Sequence, residues 1–150
     1  MTFREINYLK LEEYVESAWE GDKGLENFYD PNLKNRSLRE MVFDTTNKIK
    51  DYFYYNEKLK IYGIDEHSTP CGFVVLSNSN SMLYSFGINH RMRNAENLQY
   101  LFNFIRKNLN ECFYTLLYEK NERAINWLKK CGMREVKELK PDEGIVYLSY

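Results

Sequence analysis

The sequence predicts an α/β (α+β) domain with its elements in the order βααβββαβαββ. Three observations carry that prediction. The stretch Cys112–Met133 reads as strand, turn, short amphipathic helix and hard stop. Upstream of it, the runs Cys71–Ser77 and Met82–Ile88 flank Ser77-Asn78-Ser79-Asn80, the chemistry of a hairpin turn. Elsewhere, apolar residues recur at helical rather than alternating spacing.

In chain order, Phe3–Leu9 can form a first strand. Leu11, Tyr14, Val15, Ala18 and Trp19 then fall on one helical stripe that stops before Gly21. Gly21–Arg36 carries Gly24, Pro31 and several Asn, and reads as an ordered loop or short turns. Ser37, with Glu40 three residues on, writes a capping box for a second helix. Its inner stripe is Leu38, Met41, Val42, Ile49 and Phe53, and it ends in the aromatic run Asp51–Tyr55. Leu59–Ile64 and Cys71–Ser77 are strands joined by a turn over Asp65–Pro70. A third helix spans Ala95–Leu109, with Leu98, Leu101, Phe102, Ile105 and Leu109 on one side. In the next strand, Tyr114, Leu116 and Tyr118 alternate with Phe113, Thr115 and Leu117, so both faces are apolar, as for a strand covered on both sides. Asn121 caps a fourth helix whose stripe is Ala124, Ile125 and Leu128, and Gly132 ends it. Arg134–Leu139 and Ile145–Tyr150 form a last hairpin around Lys140–Gly144.

Composition narrows the function classes. At 150 residues the chain is one domain able to bury a real core. A hydrophobic fraction of 43% offsets the entropy of ordering it. A net charge of −1 supplies no general field for nucleic acid. No run approaches the ~18–20 apolar residues of a membrane span, and the acid near the N-terminus argues against a secretory leader. Cys71, Cys112 and Cys131 are odd in number and lack a C-x-x-C. That argues for a reducing, cytoplasmic setting and against a disulfide framework or a zinc site. All three sit in or beside apolar runs and read as buried small residues, with no His neighbour to activate a thiolate.

The helix after Asn121 carries a recognisable pattern. Asn121-x-x-Ala124-x-x-Trp127-Leu128-x-Lys130-x-Gly132-Met133 resembles the C-terminal signature of the GNAT acyltransferase superfamily, N-x-x-A-x-x-L/F-Y-x-K-x-G-F. The element order resembles that family across nearly the whole chain. The resemblance implies a mixed, mostly antiparallel sheet of about seven strands flanked by four helices. It also implies acetyl-CoA as cofactor, an amine as acceptor, and direct transfer without a covalent enzyme intermediate. In the family, pyrophosphate sits where the central strand meets the third helix, on free N–H groups that glycines let it approach. The usual R/Q-x-x-G-x-G/A reads here Arg93-Asn94-Ala95-Glu96-Asn97-Leu98. The arginine matches, and Glu96 and Leu98 replace the glycines. A carboxylate in a first helical turn favours that helix by ~0.3–1 kcal/mol, so Glu96 can substitute for the anion. The resemblance makes Ile88, Arg91, Arg93, Asn94, Ala95, Glu96, Asn97 and Asn121 the cofactor-binding candidates.

The family's proton donor is a tyrosine in the fourth helix, a position held here by Leu128. Tyr118 and Glu119 at the end of the fifth strand, and Tyr84 on the fourth, are the stand-ins. Thirteen tyrosines make ordinary packing the bland alternative for either. His90 sits at the strand-to-helix turn and can act as a base or meet an anion, although a surface histidine is the plainer reading, as it is for His67. Arg91, Arg93, Arg106 and Lys107 can form a basic strip or a solvated helix face. Two functions from different classes stay open. One is an N-acyltransferase using acyl-CoA and an amine. The other is a GNAT-fold protein without catalysis that acts on a protein partner. The chain also resembles small acyltransferase-like proteins of short-tailed bacteriophages, which keep the Asn…Gly helix and lose the glycine loop. That likeness implies a role in the phage particle, its assembly or host modification.

Overall fold

The structure, a computed structural model, describes residues 1–22, 36–53, 59–138 and 144–150 in full, and 54–55 as helical backbone. Most of the loop expected at Gly21–Arg36 and most of the turn at Lys140–Gly144 lie outside the described residues. The elements are β1 Thr2–Ile6, α1 Leu11–Trp19, α2 Leu38–Tyr55, β2 Leu59–Glu66, β3 Thr69–Ser77 and β4 Met82–Ile88. They continue with α3 Ala95–Asn108, β5 Tyr114–Tyr118, α4 Glu122–Lys130, β6 Arg134–Glu135 and β7 Ile145–Ser149. This is the order read from the sequence. The strands form one seven-stranded sheet, β1-β2-β3-β4-β5-β7-β6, antiparallel except where β4 meets β5.

Helices cover both faces, and β3 shows how. Val74 and Leu76 pack with Leu101, Phe102 and Ile105 of α3, while Phe73 and Val75 pack with α1 and α2. Alternate residues of a strand point to opposite faces, so one strand serves two cores. The α1 stripe is buried as spaced: Leu11, Tyr14, Val15, Ala18 and Trp19 are all 8% exposed or less. Tyr14 lies flat on β2 because Gly63 leaves room; a Cβ there would stand 2.4 Å from the ring. Its hydroxyl donates to Asp65 Oδ1 at 3.0 Å and accepts from Arg4 Nη2 at 2.6 Å. Ser37 Oγ accepts from the Glu40 N–H and donates to the Glu40 carboxylate, so the cap forms with one of its two bonds rearranged.

Several expectations need correction. β1 stops at Ile6, because Asn7 accepts from the Leu9 N–H and turns Tyr8–Lys10 into a 3-10 turn. β2 and β3 run further than expected, joined by His67 and Ser68 alone. Both have positive φ, which matches the twist of a tight hairpin. β6 pairs with β7 over Arg134 and Glu135 only, and Val136 adds one further bond to Tyr147. Cys112 is exposed rather than buried: Asn110 and Glu111, both with positive φ, swing the chain outward before β5. Finally, β5 is not covered on both faces. Only Thr115 is fully buried in it, and the reason lies in its pairing with β4.

Candidate functional site

β4 carries one residue more than its partner. Val75 pairs with Ser85 and Leu76 with Leu83, so Tyr84 is extra. A bulge of this kind bends its strand and increases its twist. On its other side, β4 pairs with β5 only at Met82–Tyr114 and Leu83–Thr115. Thr115 Oγ1 donates to the Leu83 carbonyl at 2.8 Å and clamps that last rung. Beyond it the strands separate, β5 pairs along its length with β7, and among the described residues the outer half of β4 presents an edge without a strand partner.

The gap between the strands holds two adjoining clefts, of about 340 and 430 Å³, which share Trp19, Phe86 and Asn121 in their walls. The first is lined by Tyr84, Tyr118 and Thr115, with Lys48 from α2. The second is lined by Ile88, Arg93, Leu98, Arg123 and Trp127. Tyr84 stacks on Tyr52 with ring centroids 4.3 Å apart. Burial, then the neighbouring Tyr52 and Asp51, push its hydroxyl above the usual phenol range, so at neutral pH it keeps its proton. Asn121 accepts from the Ala124 N–H, which fixes its side chain at the seam between the clefts.

The turn from β4 to α3 is heavily self-bonded. Asn89 Oδ1 accepts from Arg91 N, and the Asn89 carbonyl accepts from Met92 N. The N–H groups of Arg93 and Asn94 bond the carbonyls of His90 and Met92. Asn94 caps α3 through Asn97 N at 2.9 Å, and its carbonyl takes Leu98 N. Arg93 Nε donates to the Ile88 carbonyl at 3.0 Å, and its Nη2 meets Asp22 Oδ2 at 2.6 Å. The Asp22 side chain is 3% exposed and also meets Arg123 Nη2 at 3.4 Å.

Of the candidates from sequence, Tyr84, Tyr118, Ile88, Arg93 and Asn121 stand in the cleft walls. Glu119 is exposed past the end of β5, with its N–H on the Gly144 carbonyl. Arg91, Asn94, Ala95 and Glu96 are exposed around the turn, and Asn97 is partly buried with its amide on the Met92 carbonyl. His90 is exposed at the rim of the second cleft. Leu98 both packs against the core and lines that cleft. Leu128, at the family's tyrosine position, is 0% exposed in the core. Arg106 pairs with Glu111 at 2.7 Å, away from the Arg93–Asp22 pair, so the basic residues form no strip. Sequence reasoning missed Trp19, Phe86, Thr115, Asp22 and Arg123. Trp19 was the last residue of the α1 stripe and Arg123 lay inside the Asn121 signature; the other three gave no local signal.

At the level of sequence, no family model and no curated protein matches. Structures do. A PaiA N-acetyltransferase from Thermoplasma acidophilum, solved with coenzyme A, superposes with a TM-score of 0.73 at 15% identity, over 99% of this chain and 96% of that one. The fold is that of the GNAT acetyltransferases. A ribosomal-protein-alanine N-acetyltransferase from Brucella melitensis gives 0.63 at 9% identity, over 100% and 99%. The microcin C7 self-immunity acetyltransferase MccE, solved with acetyl-CoA and AMP, gives 0.63 at 11%, over 99% and 91%. Within this GNAT fold, the residues fit an acyl-CoA unevenly. The open β4 edge and the paired clefts suit an extended, amide-bearing arm. The turn is a poorer phosphate cradle, because most of its N–H groups already have acceptors and Arg93 holds Asp22.

Proposed function

We propose that the chain is an N-acyltransferase that lays the arm of an acyl-CoA along the open edge of β4 and passes the acyl group directly to an amine. The observation that carries this reading is the parting of β4 from β5 after Leu83, which opens two adjoining clefts in the middle of the sheet. Ile88 and the outer half of β4 would hold the arm, with Asn121 at the seam. The thioester supplies an activated acyl group. Trp19, Phe86 and Leu117 give apolar walls that keep bulk water from it. Tyr84 and Tyr118 line the cleft next to that seam, and each can give the departing thiolate a proton from Oη. The exposed Glu119 would at most receive a proton shed to solvent.

A second reading rests on the self-bonded β4–α3 turn and on the buried Leu128 at the family's tyrosine position. In it the chain is a GNAT-shaped scaffold without catalysis that acts through protein contacts, in a phage particle, its assembly or host modification. Calorimetric titration with acetyl-CoA and CoA separates the two. The enzyme reading expects saturable one-to-one binding and a stability gain of ~2.7 kcal/mol at ~100 times Kd. It further expects a loss of ~10²–10⁴-fold in kcat, with unchanged donor affinity, for Tyr118→Phe or Tyr84→Phe, whichever is the donor. No heat and no stabilisation at millimolar ligand refutes donor binding and leaves the scaffold.

A further inference from the structure

Asp22 is an unusual neighbour for a phosphate site. Its carboxylate is 3% exposed, lies just past the end of α1 and touches two cations from distant parts of the chain. Arg93 comes from the β4–α3 turn and Arg123 from the first turn of α4, and both also line the second cleft. The α1 end is fastened here by further bonds. Asn89 Nδ2 donates to the carbonyls of Ser17 at 2.8 Å and Glu20 at 3.4 Å. Gly21, with φ +75°, packs so closely on His90 that a Cβ would stand 3.0 Å from the ring. The backbone leading to Asp22 is therefore fastened, which sets its carboxylate beside the two arginines.

We infer that Asp22 is a built-in anion that occupies the two cleft arginines and so sets how strongly the chain binds the phosphate end of its donor. A phosphate reaching Arg93 and Arg123 meets guanidinium groups already paired with a carboxylate, and meets that carboxylate's charge as well. The neutral arm of the donor, bound along β4, is not opposed in this way. The chain thus gains its donor affinity from the arm and little from the phosphates. This rests on the acyl-donor reading for its biological meaning, but the anion competition stands on the ion pairs alone.

The test uses inorganic pyrophosphate on the full chain, so that it does not depend on thioester binding. Asp22→Asn, which keeps shape and removes charge, should bind pyrophosphate about tenfold or more tightly than wild type, the factor that ~1.4 kcal/mol represents. The gain should shrink steeply as salt rises. It should be absent in Asp22→Glu, which keeps the charge, and abolished in the double variant Asp22→Asn/Arg93→Gln. Equal or weaker binding by Asp22→Asn overturns the inference. If Asp22→Asn fails to fold, the wild type decides. In an NMR titration with pyrophosphate, the Arg93 Nε–Hε and Asp22 amide signals must move together with saturation. Binding that leaves both signals unmoved overturns it. No acetyl-CoA binding alongside a positive pyrophosphate result would refute the enzyme reading and leave the competition intact.

Discussion

Tyr14→Phe removes a single oxygen from the point where α1 is pinned to the sheet. Tyr14 is 1% exposed and Asp65 5%, so neither can turn to water for a replacement partner. The hydroxyl's one proton is shared between Asp65 Oδ1 at 3.0 Å and Oδ2 at 3.3 Å. A hydrogen bond to a charged group contributes ~1.5–3 kcal/mol. Phenylalanine keeps the ring, so the only space vacated is that of the hydroxyl. The Arg4–Asp65 pair, at 3.2 Å, survives the change, and with Arg4 63% exposed it is screened by solvent and offsets little of the loss. The expected cost is therefore ~2 kcal/mol, or ~4–8 °C in Tm for a domain of this size. Urea denaturation followed by circular dichroism should show a lower midpoint with an unchanged slope. A control, Arg4→Gln, should cost less than half as much. A loss below ~0.5 kcal/mol for Tyr14→Phe, or an Arg4 variant as costly as it, refutes the claim that the phenol pins the helix.

Three further outcomes follow. Thr115→Val keeps the shape of a residue 1% exposed and deletes its bond to the Leu83 carbonyl, leaving a buried acceptor short of a partner. The expected loss is ~1–3 kcal/mol in urea, with recovery in Thr115→Ser; equal stability of Val and Thr would show that the clamp contributes nothing. Stability should also fall at alkaline pH. Burial raises Tyr14, Tyr62, Tyr84 and Tyr114 above the usual phenol range and lifts the Cys71 thiol to about 11. Above ~pH 8.5–10 the unfolded chain sheds protons that the folded chain keeps, so the unfolded state binds fewer and stability declines with rising pH. Urea midpoints from pH 7 to 11 should be flat and then drop. A rise in that range contradicts the sign. In the same samples the exposed Cys112 should alkylate before the buried Cys71.

What the sequence disclosed follows how local each cause is. The α1 stripe, the Asn121 cap, the Gly132 stop and the turn between β3 and β4 depend on neighbours within a few residues, and all were read correctly. The exposure of β5 was not legible, because it depends on an extra residue in another strand. Hydropathy sees Tyr84 as one more alternating residue and cannot see its missing partner in β3. The Arg93–Asp22 pair joins residues 71 apart, so a candidate phosphate ligand gave no sign that a carboxylate already held it. Tyr84, Tyr118 and Asn121 are separate candidates in the sequence; that they share one cleft is a property of the splay.

The two rungs between β4 and β5 have a mechanical meaning. They are the backbone ladder that joins a four-strand piece, β1 to β4, to a three-strand piece, β5, β7 and β6. Side chains in the α3–α4 core hold the pieces together, but the sheet itself is nearly cut in two. The smaller piece is thus a natural unit of partial opening, and its amides should exchange with solvent sooner than those of β2 and β3. A molecule lodged in the cleft and bonded to both lips would act as a stitch across that cut. Its affinity would then be read out far from where it sits, as slower exchange at Leu148 and Glu135.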